Sequence, residues 1–150
     1  MPITPFHFGP GFFIKSILLK RFSFRVFILA NILIDVEPLY YILTNQYPLH
    51  RFFHTYIGAT VVAIVSILLG GFIWRKIPKS AVIAGSFLGT YSHVLLDSIM
   101  HADLRPFYPV TNVNSLLHVL NYFQLHLLCV TAGVLGGFLY ILRQRKINKE

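Results

Sequence analysis

Twenty consecutive residues, Thr55 to Trp74, carry no charged side chain. A helix needs about 20 such residues to cross the hydrocarbon core of a bilayer. In that solvent only helices and closed barrels satisfy their own backbone, so open strands are excluded. Three more apolar stretches follow the same logic. Val26–Leu43 is interrupted by Asp35 and Glu37, and Ala81–Met100 carries His93 and Asp97 in its second half. Leu116–Leu142 is long enough for a short helix followed by a full span. Phe12–Phe22 is shorter and holds Lys15, Lys20 and Arg21. Pro48, Pro78, Pro106 and Pro109 fall between the segments, where helix breakers belong. Charged residues make up 12% of the chain, against roughly 25% in an ordinary soluble domain. The pattern predicts one all-α domain over residues 1–150, a polytopic membrane bundle of four to five transmembrane helices without internal repeats.

The formal net charge of +8 could suggest a nucleic-acid partner. The basic residues instead sit in short groups between apolar runs, which is how membrane-flanking charges are placed. If the segments alternate, Lys20, Arg21, Arg25, Arg75, Lys76, Lys79, Arg143, Arg145, Lys146 and Lys149 share one side. Only Arg51 and Arg105 lie in the opposite loops. By the positive-inside rule the basic side and the C-terminus are cytoplasmic. The N-terminal stretch Met1–Gly11 has no basic region, so a cleavable leader is not expected there. The lone Cys129 allows neither an intramolecular disulfide nor a cysteine-based zinc site, and it reads as a small apolar filler. Gly85 with Gly89, and Gly133 with Gly137, read as close helix-packing pairs.

The acids are scarce and therefore informative. Apart from Glu150 they are Asp35, Glu37, Asp97 and Asp103. An acid in mid-membrane costs roughly 2.5–3.5 kcal/mol on insertion scales, and it is tolerated when paired or bound to a metal. Arg51 and Arg105 are the only cations on that side. Histidines supply the other half of the pattern. His50 and His54 are four apart, as are His93 and Asp97, with His101 four further on. At helical spacing such residues share a face and can share an ion. The topology gathers Asp35, Glu37, His50, His54, His93, Asp97, His101 and Asp103 at the outer membrane face. Pro38 disfavours the α conformation at Glu37, so a helix ending there would let Asp35 and Glu37 face one cavity. His118 and His126 have no acid near them and read as polar packing residues.

Four motifs resemble those of the YdjM-like, LexA-regulated, membrane-bound metal-dependent hydrolases. They are Phe6-His7-Phe8 before the first helix, the acidic pair Asp35-Val36-Glu37, the stretch His50-Arg51-Phe52-Phe53-His54-Thr55, and Ser92-His93-Val94-Leu95-Leu96-Asp97. The family usually has Gly after the Arg and one more residue before the second His, and its second acid is usually Asp. The resemblance implies a metal-dependent hydrolase in the bacterial cytoplasmic membrane and adds His7 to the site. His7 at the outer face would make Phe12–Phe22 a first helix running inward, giving five helices in all.

Imidazole with carboxylate is a ligand set for zinc, manganese or iron. The expected cofactor is a divalent cation, zinc first, held among His7, Asp35, Glu37, His50, His54, His93, Asp97 and His101. An acid left unliganded, Glu37 or Asp103, would be the general base. The expected partners are the bilayer and a small-molecule or lipid substrate. The alternative is a metal-binding or metal-transporting protein without hydrolysis. A transporter needs a polar route through both halves, and Thr55–Trp74 and Ala81–Leu88 offer almost none on the basic side.

Overall fold

The computed structural model describes residues 4–147, which form helices joined by turns, with no strand among them. Lys149 and Glu150 fall outside the described residues. A short 3-10 turn, Thr4–His7, leads into α1 (Phe8–Leu18). Then come α2 (Phe24–Ile34), α3 (Val36–Leu43), α4 (Tyr56–Ile73), α5 (Lys79–Met100) and α6 (Tyr122–Ile147). The expected bundle is therefore present. Among the described residues, three stretches are long and apolar enough to cross a membrane: 24–43, which joins α2 to α3, then Tyr56–Ile73 and Tyr122–Lys146. Their outer faces carry exposed Ile57, Val61, Leu68 and Phe72 on α4, and Phe123, Val134 and Phe138 on α6. An apolar surface of this extent suits lipid rather than water.

The helix ends follow local chemistry. Ser23 and Thr55 cap α2 and α4, their hydroxyls accepting from the amides of Val26 and Gly58. Asn121 and Gln124 form a reciprocal capping box that starts α6. The start falls later than expected, because residues 115–120 form turns rather than a short helix. Lys15 Nζ donates to the carbonyls of Leu19 and Phe22, closing the end of α1. Its charge thus meets the orphan carbonyls of a helix terminus, where cations are favoured.

The break between α2 and α3 falls at Asp35, and Glu37 stays helical despite preceding Pro38. The proline ring excludes the carbonyl four residues back, that of Ile34, and cannot donate to it. The defect therefore appears one turn upstream of the proline, and Asp35 is the residue it sets apart.

α5 lies at the centre, against α2 and α4, while α1 packs along α6. A Cβ on Gly89 would come within 2.8 Å of the Ala30 Cβ, and one on Gly136 within 2.6 Å of the Phe13 amide. The close approach of α6 to α1 thus runs through Gly133, beside Gly9, and Gly136, more than through Gly137. Gly136→Leu is expected to lose about 1–3 kcal/mol of stability, the usual cost of overpacking. Thermal unfolding in detergent measures it, and an unchanged midpoint would place the α1–α6 contact elsewhere.

Cys129 is buried with Leu96, Ile99 and Leu125, as a filler should be. Apart from Arg51 and Arg105, the described basic residues collect at one end of the bundle. There Arg143 donates to the carbonyls of Ser16 and Ile17, and the Ser23 amide donates to Ala81. His7, Asp35 and the turns 44–55 and 101–121 lie at the other.

Candidate metal centre

Four elements deliver the site. Asp35 comes from the α2–α3 break, His54 from the turn before α4, and His93 and Asp97 from one face of α5. His7 comes from the turn before α1. His54, His93 and Asp97 are buried, at 0%, 1% and 2% exposure. His93 Nε2 is 3.1 Å from Asp35 Oδ1 and 3.1 Å from Asp97 Oδ2. His54 Nε2 is 3.8 Å and 3.6 Å from the same two oxygens. All four residues offer ligand atoms within 4.8 Å of one another. Zinc bonds of about 2.1 Å in a tetrahedron set ligands about 3.4 Å apart, so these separations suit a coordination shell.

The residues fit a cation on a second count. Both ring nitrogens of His54, His93 Nε2 and Asp97 Oδ1 are buried, and their polar neighbours are the other histidines and acids of the site, at 3.1–3.9 Å and without good hydrogen-bond geometry. Buried polar atoms are almost always satisfied, and unsatisfied ones are costly. A single divalent ion at the centre of this set would engage the inward-facing atoms and offset both carboxylates. Asp35 and Asp97 stand on either side of His93 Nε2, so a cation placed there would lie between the two acids.

Surrounding groups fix the tautomers. Asn31 Nδ2 donates to the Phe27 carbonyl at 2.8 Å, which turns its Oδ1 toward His93. That oxygen can only accept, so His93 Nδ1, 3.1 Å away, carries the proton. Nε2 is left facing the acids, where its lone pair would serve a bound cation. A ligating histidine usually shows this pattern, and loss of the outer partner costs about 10–100-fold in metal affinity. Asn31→Ala is expected to weaken metal binding by that factor in a chelator competition titration. Wild-type affinity would show that His93 needs no orienting partner.

Glu37 lies outside the four-residue set. Its two oxygens accept from the amides of Phe52, at 3.1 Å, and Phe53, at 2.8 Å. Oε2 also stands 3.9 Å from His54 Nδ1. Glu37 therefore holds the turn that presents His54 and faces the ring from the side away from Asp35. His7 Nε2 is 3.3 Å from Asp97 Oδ1, and its ring lies 4.4 Å from that of His93.

The i,i+4 expectation holds for His93 and Asp97 and fails for the other pairs. Residues 50–55 are turns, so His50 and His54 share no helix face. His101 is the first residue past α5, with extended φ and ψ. It turns away from Asp97 to join His50 and Asp103. Burial pushes the His101 imidazole down to about 4 and lowers that of His50, so both rings are neutral at pH 7. Burial would raise Asp103, but His50 and the Leu49 and His50 amides hold its carboxyl below the usual range.

The two cations weighed as partners for the acids are engaged elsewhere. Arg51 stacks on Tyr41 and donates to the Pro48 carbonyl, and Arg105 donates to Asn112. His126 bonds the Tyr122 carbonyl and packs on Phe6, as a packing histidine does. Asn31 is the member of the site that sequence reasoning missed. Its signal was its place four residues before Asp35, on the same helix face.

No protein-family model, curated protein or solved structure matches the chain.

Proposed function

We propose that the chain is a membrane-embedded, metal-dependent hydrolase acting on an ester or phosphoester carried by a lipid. The observation that carries this reading is where the buried cluster opens. Asp35, His93 and Asp97 line a cavity of about 510 Å³ whose other walls are mostly apolar. Ile32, Val36, Leu39 and Ile42 form part of those walls, and each also faces outward from the bundle. The cavity therefore continues into the lipid-facing surface of α2 and α3, and an acyl or prenyl chain could enter sideways from the bilayer.

In this reading Asp35, His54, His93 and Asp97 hold the cation, and zinc, manganese and iron all suit the donors. When bound, the cation acidifies a water and polarises the scissile bond. Hydrolysis adds that water across the bond, hydroxide to the acyl or phosphoryl group and the proton to the leaving alcohol. Asn31 and Glu37 hold the two imidazoles in register. His7 stands beside Asp97, on the cavity side, where it can bind substrate. The hydrogen bonds of Glu37 favour a positioning role over the role of base. The four family motifs supply His7, Asp35, His54, His93 and Asp97, so the resemblance points the same way. The basic end of the bundle then lies in the cytoplasm of a bacterial cell and the site at the outer face.

The transport reading finds less support. Tyr56 to Ser92 contains no acid and no histidine. Buried polar side chains in that region are limited to hydroxyls such as Ser66, Ser86 and Thr90. The deciding assay uses protein loaded with zinc or manganese on a panel of lipid esters and lipid phosphoesters, with His93→Ala as control. Turnover absent from the control supports the proposal. No turnover across the panel, with metal uptake by proteoliposomes, would replace it with transport.

A further inference from the structure

Three side chains outside the four-residue centre meet beside the same cavity, two of them in its wall. His50 comes from the turn after α3, while His101 and Asp103 follow α5. His50 Nδ1 lies 3.0 Å from Asp103 Oδ1, and the His50 and His101 rings are 4.2 Å apart. The three residues present ligand atoms within 4.8 Å of one another. Asp103 Oδ2 accepts from the amides of Leu49 at 3.0 Å and His50 at 3.2 Å, which fixes the carboxylate.

A plain His–Asp hydrogen bond would account for His50 and Asp103. It leaves His101 unexplained, because His101 Nε2 is buried with no hydrogen-bond partner. A cation accounts for all three. Two nitrogens and a carboxylate oxygen also match the three protein ligands of a site that keeps a position open for water or substrate.

The relation between the two clusters gives this arrangement a purpose. His50 and His101 line the 510 Å³ cavity together with Asp35, His93 and Asp97. The His50 and His54 rings are 4.7 Å apart, so the clusters are neighbours. We propose that His50, His101 and Asp103 form a second divalent-cation site, and that the cavity takes phosphate esters between two cations. The charges favour this substrate class. Two carboxylates balance one divalent ion, whereas Asp103 alone leaves the second ion a positive excess. Paired cations suit an in-line displacement at phosphorus, in which attacking and leaving oxygens both bear charge. Arg51 and Arg105 add to that field, since they edge a smaller pocket on His50 and Asp103. The second site stands on its own geometry, while the substrate class rests on the hydrolytic reading.

The test counts metal. Full-length protein in detergent is equilibrated with excess manganese or zinc, passed through metal-free buffer and measured for metal per chain. Wild type is expected to hold two equivalents. Asp103→Asn and His101→Ala are each expected to hold one, with thermal unfolding confirming that both are folded. The same samples are assayed on lipid phosphoesters and carboxylic esters, with phosphoester turnover expected to fall at least tenfold in both variants. One equivalent in wild type, unchanged in Asp103→Asn, would overturn the second site. It would leave His50 and Asp103 as a proton-transfer pair beside a single metal. Two equivalents with turnover of carboxylic esters alone would keep the site and overturn the substrate class. No metal in wild type would overturn this proposal and the hydrolytic reading together.

Discussion

On the proposed metal-dependent reading, Asp97→Asn is expected to lose the cation held with Asp35, His54 and His93 and to abolish hydrolysis. Asp97 sits where the ligands meet. Its Oδ2 is 3.1 Å from His93 Nε2 and 3.6 Å from His54 Nε2, and its Oδ1 is 3.3 Å from His7 Nε2. Asparagine keeps the shape but removes the charge, and one of its two heads becomes a donor that repels a cation. The centre drops from two carboxylates to one. Loss of an outer partner alone costs about 10–100-fold in affinity, so loss of a ligand at the focus should exceed 100-fold. Metal analysis should show one equivalent fewer than wild type, and turnover should fall to background. The isosteric change also relieves carboxylate crowding, so the variant should remain folded in detergent. Full metal content in a folded Asp97→Asn protein would reduce the cluster to a polar packing feature.

The legible part of this site was the part carried by regular helix. Ser92-His93-Val94-Leu95-Leu96-Asp97 lies within α5, so its spacing translated directly into one face and one centre. Scarcity made the acids legible too, since an apolar interior imposes a cost on each carboxylate. Spacing misled where the backbone left the helix. His50 and His54 are neighbours through a turn pinned by Glu37 and capped by Thr55, and no period of 3.6 describes that path. His101 stands one residue past the end of α5, and that single change of φ and ψ moves it from the first cluster to the second. The partners of Asp103 were hidden, because the amides of Leu49 and His50 lie more than 50 positions away in sequence. Asn31 was hidden for another reason. An Asn within an apolar helix has many ordinary uses, and only its contact with His93 singles it out.

Helix boundaries show the same division. The expected segment Val26–Leu43 is right in extent and wrong in continuity. A local rule placed the break at the residue before proline. A separate effect of the same ring, the excluded carbonyl four residues back, places it at Asp35 instead. The break then does chemical work, because an unbroken helix would hold Asp35 in register with its neighbours rather than set it against His93.

Removing the metal should loosen one end of the molecule and spare the other. Without a cation, two carboxylates and two imidazoles face each other within 4.8 Å, three of the four side chains buried. A ligand present at 100 times its dissociation constant stabilises a fold by about 2.7 kcal/mol. For a chain of this size each kcal/mol shifts the midpoint by about 2–4 °C, so chelation should lower it by about 5–10 °C. The loss should be local. His54 is tied to the turn 50–55, and Asp97 lies one turn before the segment 101–121, so amide hydrogen exchange should quicken in both stretches. The far end rests on contacts that involve no metal, Arg143 with the carbonyls of Ser16 and Ile17 and the Ser23 amide with Ala81. Exchange in the end of α1 and the start of α5 should therefore stay unchanged. Equal quickening at both ends would mean that the metal supports the whole bundle. An unchanged midpoint with the metal demonstrably gone would mean that the acids and imidazoles satisfy one another, and the case for a built cation site would fail with it.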